Sequence, residues 1–155
     1  MDNREVIGSW LSGPRAAAEK MGADFGYRGE RLGLPKDGPG SIAPVGRRVA
    51  ALFIDWILSA LIAYGLIAHR DLAQANNWAL VVFAAVSVIG LGLVGSTPGK
   101  MIMRLRVVQA DGSRLSPLGA ALRTLLLVLV VPAVVFDRDT RGLHDRAVKA
   151  VQVRI

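Results

Sequence analysis

The sequence predicts an all-α membrane protein: a small transmembrane helical bundle with two clear spans, a third proline-kinked apolar segment and a minor cytoplasmic β element. Three observations predict it. The chain is 52% hydrophobic with a mean hydropathy of +0.42, high for a chain of 155 residues. Its charged residues, 20% of the total with a net charge of +7, lie almost entirely outside three long apolar runs. Positive charge is also distributed unevenly between the segments that separate those runs, as membrane topology requires.

An apolar, basic chain is either a nucleic-acid binder or a membrane protein. A nucleic-acid binder would carry Lys and Arg along one face of a soluble core. Here they flank uncharged segments, so the basic balance predicts contact with the bilayer and its anionic headgroups, and no nucleic-acid partner. The chain has no cysteine and only His69 and His144, which leaves no thiolate set and little basis for a metal or other cofactor. The start, Met1-Asp2-Asn3-Arg4-Glu5, has no apolar core of the kind a cleaved signal peptide uses.

Residues 1–45 are polar and rich in Gly and Pro, and are expected to form a flexible cytoplasmic tail; residues 46–155 form the transmembrane domain. Within the tail, Val6–Leu11 with Trp10 is a short apolar patch suited to a headgroup region or a partner. The first span is expected over Val49–Ala68, 20 residues with one charge, about the length that crosses a hydrocarbon core. The second runs from Trp78 to Gly95, with Trp78 at an interface position. Asp111-Gly112 is a hairpin turn signal, flanked by Leu105–Gln109 and Ser113–Ser116. A third apolar segment, Leu118–Phe136, contains Arg123 and Pro132. The terminal Ala150–Ile155 alternates with period two and predicts a strand in need of a partner.

Eight Lys and Arg precede the first span, one lies in loop 69–77 and four lie in segment 96–117. The N-terminus and segment 96–117 are therefore expected in the cytoplasm. A full crossing of the third segment would put the tail's five positive charges outside. A bend at Pro132 would return them to the inside, the arrangement that charge favours.

Asp55 is the seventh residue of the first span, roughly 10 Å below the interface. An ionised carboxylate there costs about 2.5–3.5 kcal/mol, so it must face protein or water and be paired or protonated. Arg48, seven residues earlier, and Ser59, four later, share its helical face. Arg123, about 9 Å into the third segment, matches its depth and is the expected intramembrane partner. Such a pair can act as structural glue, as a proton or ion site through a raised carboxyl pKa, or in partner recognition.

Other signals are weaker. Gly99-Lys100 is not a P-loop, because Val94 and Met101 stand where that motif needs Gly and Ser or Thr. Thr97–Lys100 is most simply a helix C-terminal turn with a lysine at the membrane surface. His144-Asp145 suits a surface or interface hydrogen bond better than acid–base catalysis. No nucleophile, base and oxyanion arrangement is visible, and no enzyme is expected.

The motifs together resemble the RDD family of bacterial membrane proteins. Arg48-Val-Ala-Ala-Leu-Phe-Ile-Asp55 resembles the family's opening motif, Gly95-Ser-Thr-Pro-Gly-Lys100 followed by Leu105-Arg-Val-Val108 its central one, and Arg141-Gly142-Leu-His144-Asp145-Arg its C-terminal one. The resemblance covers residues 45–155. It implies that Arg48, Asp55 and Asp145 are the residues for which the family is named, and that the chain is a multi-pass protein of the bacterial inner membrane. It leaves the activity open between ion or solute transport and an accessory role. Met103-Arg104 replaces the family's usual Leu-Gly, and the third segment has only 19 residues, which favours a homo-oligomer or a larger membrane complex over a complete one-subunit transporter.

Overall fold

A computed structural model describes residue 22, residues 26–129 and residues 141–155. Val6–Leu11 and Pro132 lie outside the described residues.

Helix α1 spans Val45–Ile62 and continues through one π-helical turn, Ala63–Ile67. Its 23 residues are long and apolar enough to cross a membrane. Left-handed His69 and Arg70 end it and reverse the chain. Asp71 then caps helix α2, Leu72–Leu93, by accepting from the backbone N–H groups of Ala73 and Gln74. That cap explains why α2 begins six residues before Trp78: the polar Gln74, Asn76 and Asn77 are helical although they are not apolar. α2, at 22 residues, is likewise long and apolar enough to span.

Two short elements follow. Helix α3, Pro98–Ile102, starts with Thr97 as its cap and Pro98 in its first turn. Strand β1 is Leu105–Gln109. Helix α4, Pro117–Val128, repeats the Ser/Thr–Pro start with Ser116 as cap. Its 12 residues extend about 18 Å, short of a hydrocarbon core. Helix α5, Leu143–Ala147, and strand β2, Ala150–Arg154, complete the described chain.

The helices are sorted with their large apolar side chains outward. Phe53 is 63% exposed and Leu118 80%, whereas the largest fully buried side chain is Arg123. A water-soluble core reverses that order. The buried stripe of α1 is Arg48, Ala51, Asp55, Ser59 and Ala63, and that of α2 is Ala75, Ala79, Val82, Phe83, Ser87 and Leu91. Small residues on both stripes let α1 and α2 approach closely, with Ala63 packed on Ala79 and Val82.

β1 and β2 are antiparallel, with Leu105 opposite Arg154 and Val107 opposite Gln152. The terminal strand thus finds the predicted partner region. The Asp111-Gly112 turn forms as well, but its second arm makes a single bridge, Val108 to Arg114. The other edge of β2 is covered by residues 40–43: Gly40 and Ala43 donate to the carbonyls of Arg154 and Gln152, each at 2.8 Å. Paired on both sides, Ala150–Val153 are all buried. Ile42 packs with Val151 and Val153, and Leu32 and Leu34 pack against that cluster. Residues 29–43, expected within a loose tail, are therefore part of the folded unit. The sheet sits under one end of the helices, where Val107 and Ala150 meet Leu91 of α2 and Ala120 of α4. β1 and β2 consequently lie at the same end of the bundle.

Candidate functional site

Two buried charge clusters meet at that end. The first is built on α1. Asp55 is 2% exposed. Its Oδ2 accepts from Thr97 Oγ1 at 2.5 Å and its Oδ1 accepts from the Gly99 N–H at 2.7 Å. Lys100 Nζ stands 3.7 Å from Oδ2 and donates to Thr97 Oγ1 at 3.2 Å. The Asp55 carboxylate therefore sits against the first turn of α3, where the chain has unpaired N–H donors to offer.

The local sequence makes this approach possible. Gly95, with φ 74°, takes the left-handed conformation that ends α2, and its carbonyl receives the Val107 N–H at 2.7 Å. Ser96 ties the turn to β1 by donating to the Leu105 carbonyl at 2.9 Å. Thr97 caps α3. At Gly99 a Cβ would collide with the Ala51 carbonyl oxygen and lie 2.9 Å from the Asp55 carboxyl. Glycine there and a small, fully buried residue at Ala51 bring α3 into contact with α1. Ser59 is buried beside Asp55 but donates to its main-chain carbonyl, at 2.7 Å, and not to the carboxylate.

The second cluster joins α4 to the C-terminal elements. Arg123 Nε donates to Asp145 Oδ1 at 2.5 Å, with both side chains 1% exposed. Gln152 Nε2, on β2, donates to Asp145 Oδ2 at 2.8 Å, and His144 Nε2 lies 3.5 Å from the same oxygen. Burial alone would raise the Asp145 carboxyl pKa. The Arg123 and His144 charges and the Gln152 hydrogen bond outweigh burial and hold it below the usual carboxylate range.

Lys100 links the clusters. Burial pushes its ammonium down from 10.5 to about 8, and the Arg123 charge pushes the same way, while Asp55 and Asp145 pull upward. Beside it a cavity of about 90 Å³ is lined by Arg48, Lys100, Arg123, His144, Asp145 and Gln152 together with apolar residues.

Several expectations are redirected. The depth-matched pair of Asp55 with Arg123 does not form: Arg123 turns to Asp145, and Asp55 to Thr97, Gly99 and Lys100. Thr97–Lys100 begins a helix instead of ending one, and Lys100 is buried, not at a surface. His144 and Asp145 are also buried, so their contact is an interior one. Arg48 shares the buried α1 face with Asp55, as seven-residue spacing predicts, and lines the cavity. Gly142 is the cap residue of α5, and Arg141 is half-buried next to it. Thr97 and Gln152 are the site residues that sequence reasoning did not select. Thr97 carried a signal, a Thr-Pro pair of the kind that opens helices; Gln152, an ordinary member of an alternating strand, carried none. Among the described residues no group of three or more His, Cys, Asp and Glu could hold a metal ion.

The sequence model of the RDD family matches residues 42–149, most of the chain and all of both clusters except Gln152. No curated protein and no solved structure matches the chain.

Proposed function

The chain belongs to the RDD family, and from that premise we propose that it is a multi-pass protein of the bacterial inner membrane that acts as a non-catalytic accessory or assembly subunit of a larger membrane complex or homo-oligomer. In this reading the N-terminus and the sheet end of the bundle face the cytoplasm, as their positive charge favours.

One observation carries the reading. Both oxygens of Asp55 are committed to Thr97 and Gly99, with Lys100 beside them, and the residue is 2% exposed. A carboxylate that loads and unloads an ion needs access to water, and this one is buried. This one ties α1 to α3. The short α4 supports the same reading, because among the described residues two membrane-length helices and a third helix of about 18 Å offer little with which to build alternating access alone.

A second reading, handling of an ion, proton or small solute, is favoured by the cavity among Arg48, Lys100, Arg123 and Asp145. Flux measurements on the purified chain in proteoliposomes with imposed sodium and pH gradients separate the two. An accessory subunit is inert alone and co-purifies with a defined partner or further copies after cross-linking and native mass spectrometry. Gradient-driven flux lost in Asp55→Asn would overturn the accessory reading.

A further inference from the structure

The cavity between α1, α4 and the 142–152 region has a charged floor and an apolar mouth. At its floor, Arg123 is 1% exposed, and among the described residues its Nη1 has no hydrogen-bond partner although Nε is bound to Asp145. Gln152, 5% exposed, holds Asp145 through Nε2 and leaves Oε1 without a donor. The Gln152 amide cannot exchange these atoms without turning its oxygen toward the carboxylate. A buried guanidinium donor left empty costs more than a neutral one. The floor therefore asks for a group that is anionic at one atom and a hydroxyl donor at another. The volume, about 90 Å³, exceeds what one water occupies several-fold. Lys100 and Arg48 add positive charge to the lining against the single carboxylate of Asp145.

The mouth has the opposite chemistry. Val45, Val49 and Leu52 of α1 and Leu127 of α4 form its apolar wall. Leu52 and Leu127 also begin a second depression of about 300 Å³, which continues over Phe53, Trp56, Phe83 and Val128 with almost no polar surface. A free anion arriving from water would meet an apolar entrance. An amphiphile arriving sideways from a bilayer would place its head on the charged floor and its chain in the groove.

We propose that this cavity holds the headgroup of an anionic, hydroxyl-bearing phospholipid, with a phosphate oxygen on Arg123 Nη1 and one acyl chain along the Leu52–Leu127 groove. A phosphoglycerol head supplies both features: phosphate oxygens accept from Arg123 and Lys100, and a glycerol hydroxyl donates to Gln152 Oε1. The inference is independent of whether the chain acts by assembly or by flux.

The test is native mass spectrometry of the full chain, delipidated in detergent and titrated separately with phosphatidylglycerol, phosphatidylcholine and inorganic phosphate. The expected result is one tightly retained phosphatidylglycerol, preferred about tenfold over phosphatidylcholine, with no retained phosphate. Equal retention of the two lipids would overturn the proposal, since apolar adhesion alone would then account for binding. Retention of inorganic phosphate as strong as that of the lipid would overturn it in favour of a free-anion site. Leu127→Trp fills the junction of cavity and groove while keeping both residues of the ion pair, and should lower phosphatidylglycerol retention at least tenfold. Leu118→Trp, on an 80% exposed position of the same helix, should leave it unchanged; equal losses in both would also overturn the site. If Leu127→Trp does not elute as a folded species, the lipid selectivity of the unmodified chain decides alone.

Discussion

The backbone N–H of Gly99 donates to Asp55 Oδ1 at 2.7 Å across 44 residues of sequence. A helix only five residues long thereby supplies the counter-dipole for a carboxylate on a membrane-length helix. The contact depends on glycine, because a side chain at position 99 would have to pass through the Ala51 carbonyl.

Gly99→Ala should therefore destabilise the fold by about 2–3 kcal/mol, the usual cost of overpacking. Gly46→Ala, in α1 with open space around the new methyl, should be neutral or stabilising by up to about 1 kcal/mol. Thermal unfolding in detergent, followed by tryptophan fluorescence, compares the two; equal midpoints would refute the close approach.

Thr97 both caps α3 and donates to Asp55. Thr97→Val removes both bonds, and the acceptor of Lys100 Nζ with them, at nearly constant volume and should cost about 1–3 kcal/mol. Thr97→Ser keeps the hydroxyl and should recover most of the loss in the same assay.

The pairing of charges can be read from a double-mutant cycle. Removing either partner of the Arg123–Asp145 pair leaves a buried charge, at about 3–5 kcal/mol. The double variant Arg123→Met with Asp145→Leu should cost much less than the sum. Asp55→Asn combined with Arg123→Met should be closer to additive, because those two side chains do not touch. Strong coupling of Asp55 with Arg123, and none with Asp145, would reverse the assignment.

Lys100 gives the fold an alkaline signature. Its folded pKa, about 8, lies below the ordinary 10.5, so between those values the unfolded chain binds more protons. Stability should rise with pH across that window, by on the order of 3 kcal/mol at most. Asp145 gives a slope of the same sign in an acidic window: its depressed carboxyl pKa stabilises the fold above the ordinary carboxylate range, and that contribution is lost as pH falls through the folded value. Denaturation midpoints from pH 7 to 10.5 should show the rise in the native chain and not in Lys100→Gln.

The absence of native cysteine makes side-specific labelling simple. Because β2 pairs with β1, Ser113→Cys and Ile155→Cys should react with an impermeant maleimide from one face of oriented vesicles. His69→Cys, at the α1–α2 turn, should react from the other. Labelling of Ser113→Cys and Ile155→Cys from opposite faces would contradict the paired sheet.

The two long helices were legible because length and hydropathy specify them without reference to anything distant. Their starts were not: Pro44 and Asp71 open α1 and α2 ahead of the apolar runs, in residues that hydropathy ignores. The shared face of Arg48 and Asp55 followed from helical geometry. The partner of Asp55 did not, because matching depths presumes that a buried charge is answered from another span. It is answered by a reverse turn and one helical turn at the bundle's end, whose Thr-Pro-Gly-Lys sequence could also be read as a stop. Arg123 and Asp145 belong to different elements that meet through tertiary packing, at the end of the bundle where β2 pairs with β1.

The 44-residue interval between Asp55 and Gly99, and the 22-residue interval between Arg123 and Asp145, are also intervals in time. At about 5–20 residues per second, a ribosome delivers Gly99 roughly 2–9 s after Asp55. During that delay α1 must hold a carboxylate without its donors, and α4 must later wait in the same way for Asp145. Each early helix is thus made before the groups that answer its buried charge. A product stalled before either interval closes would carry a charge whose partner has not yet been made.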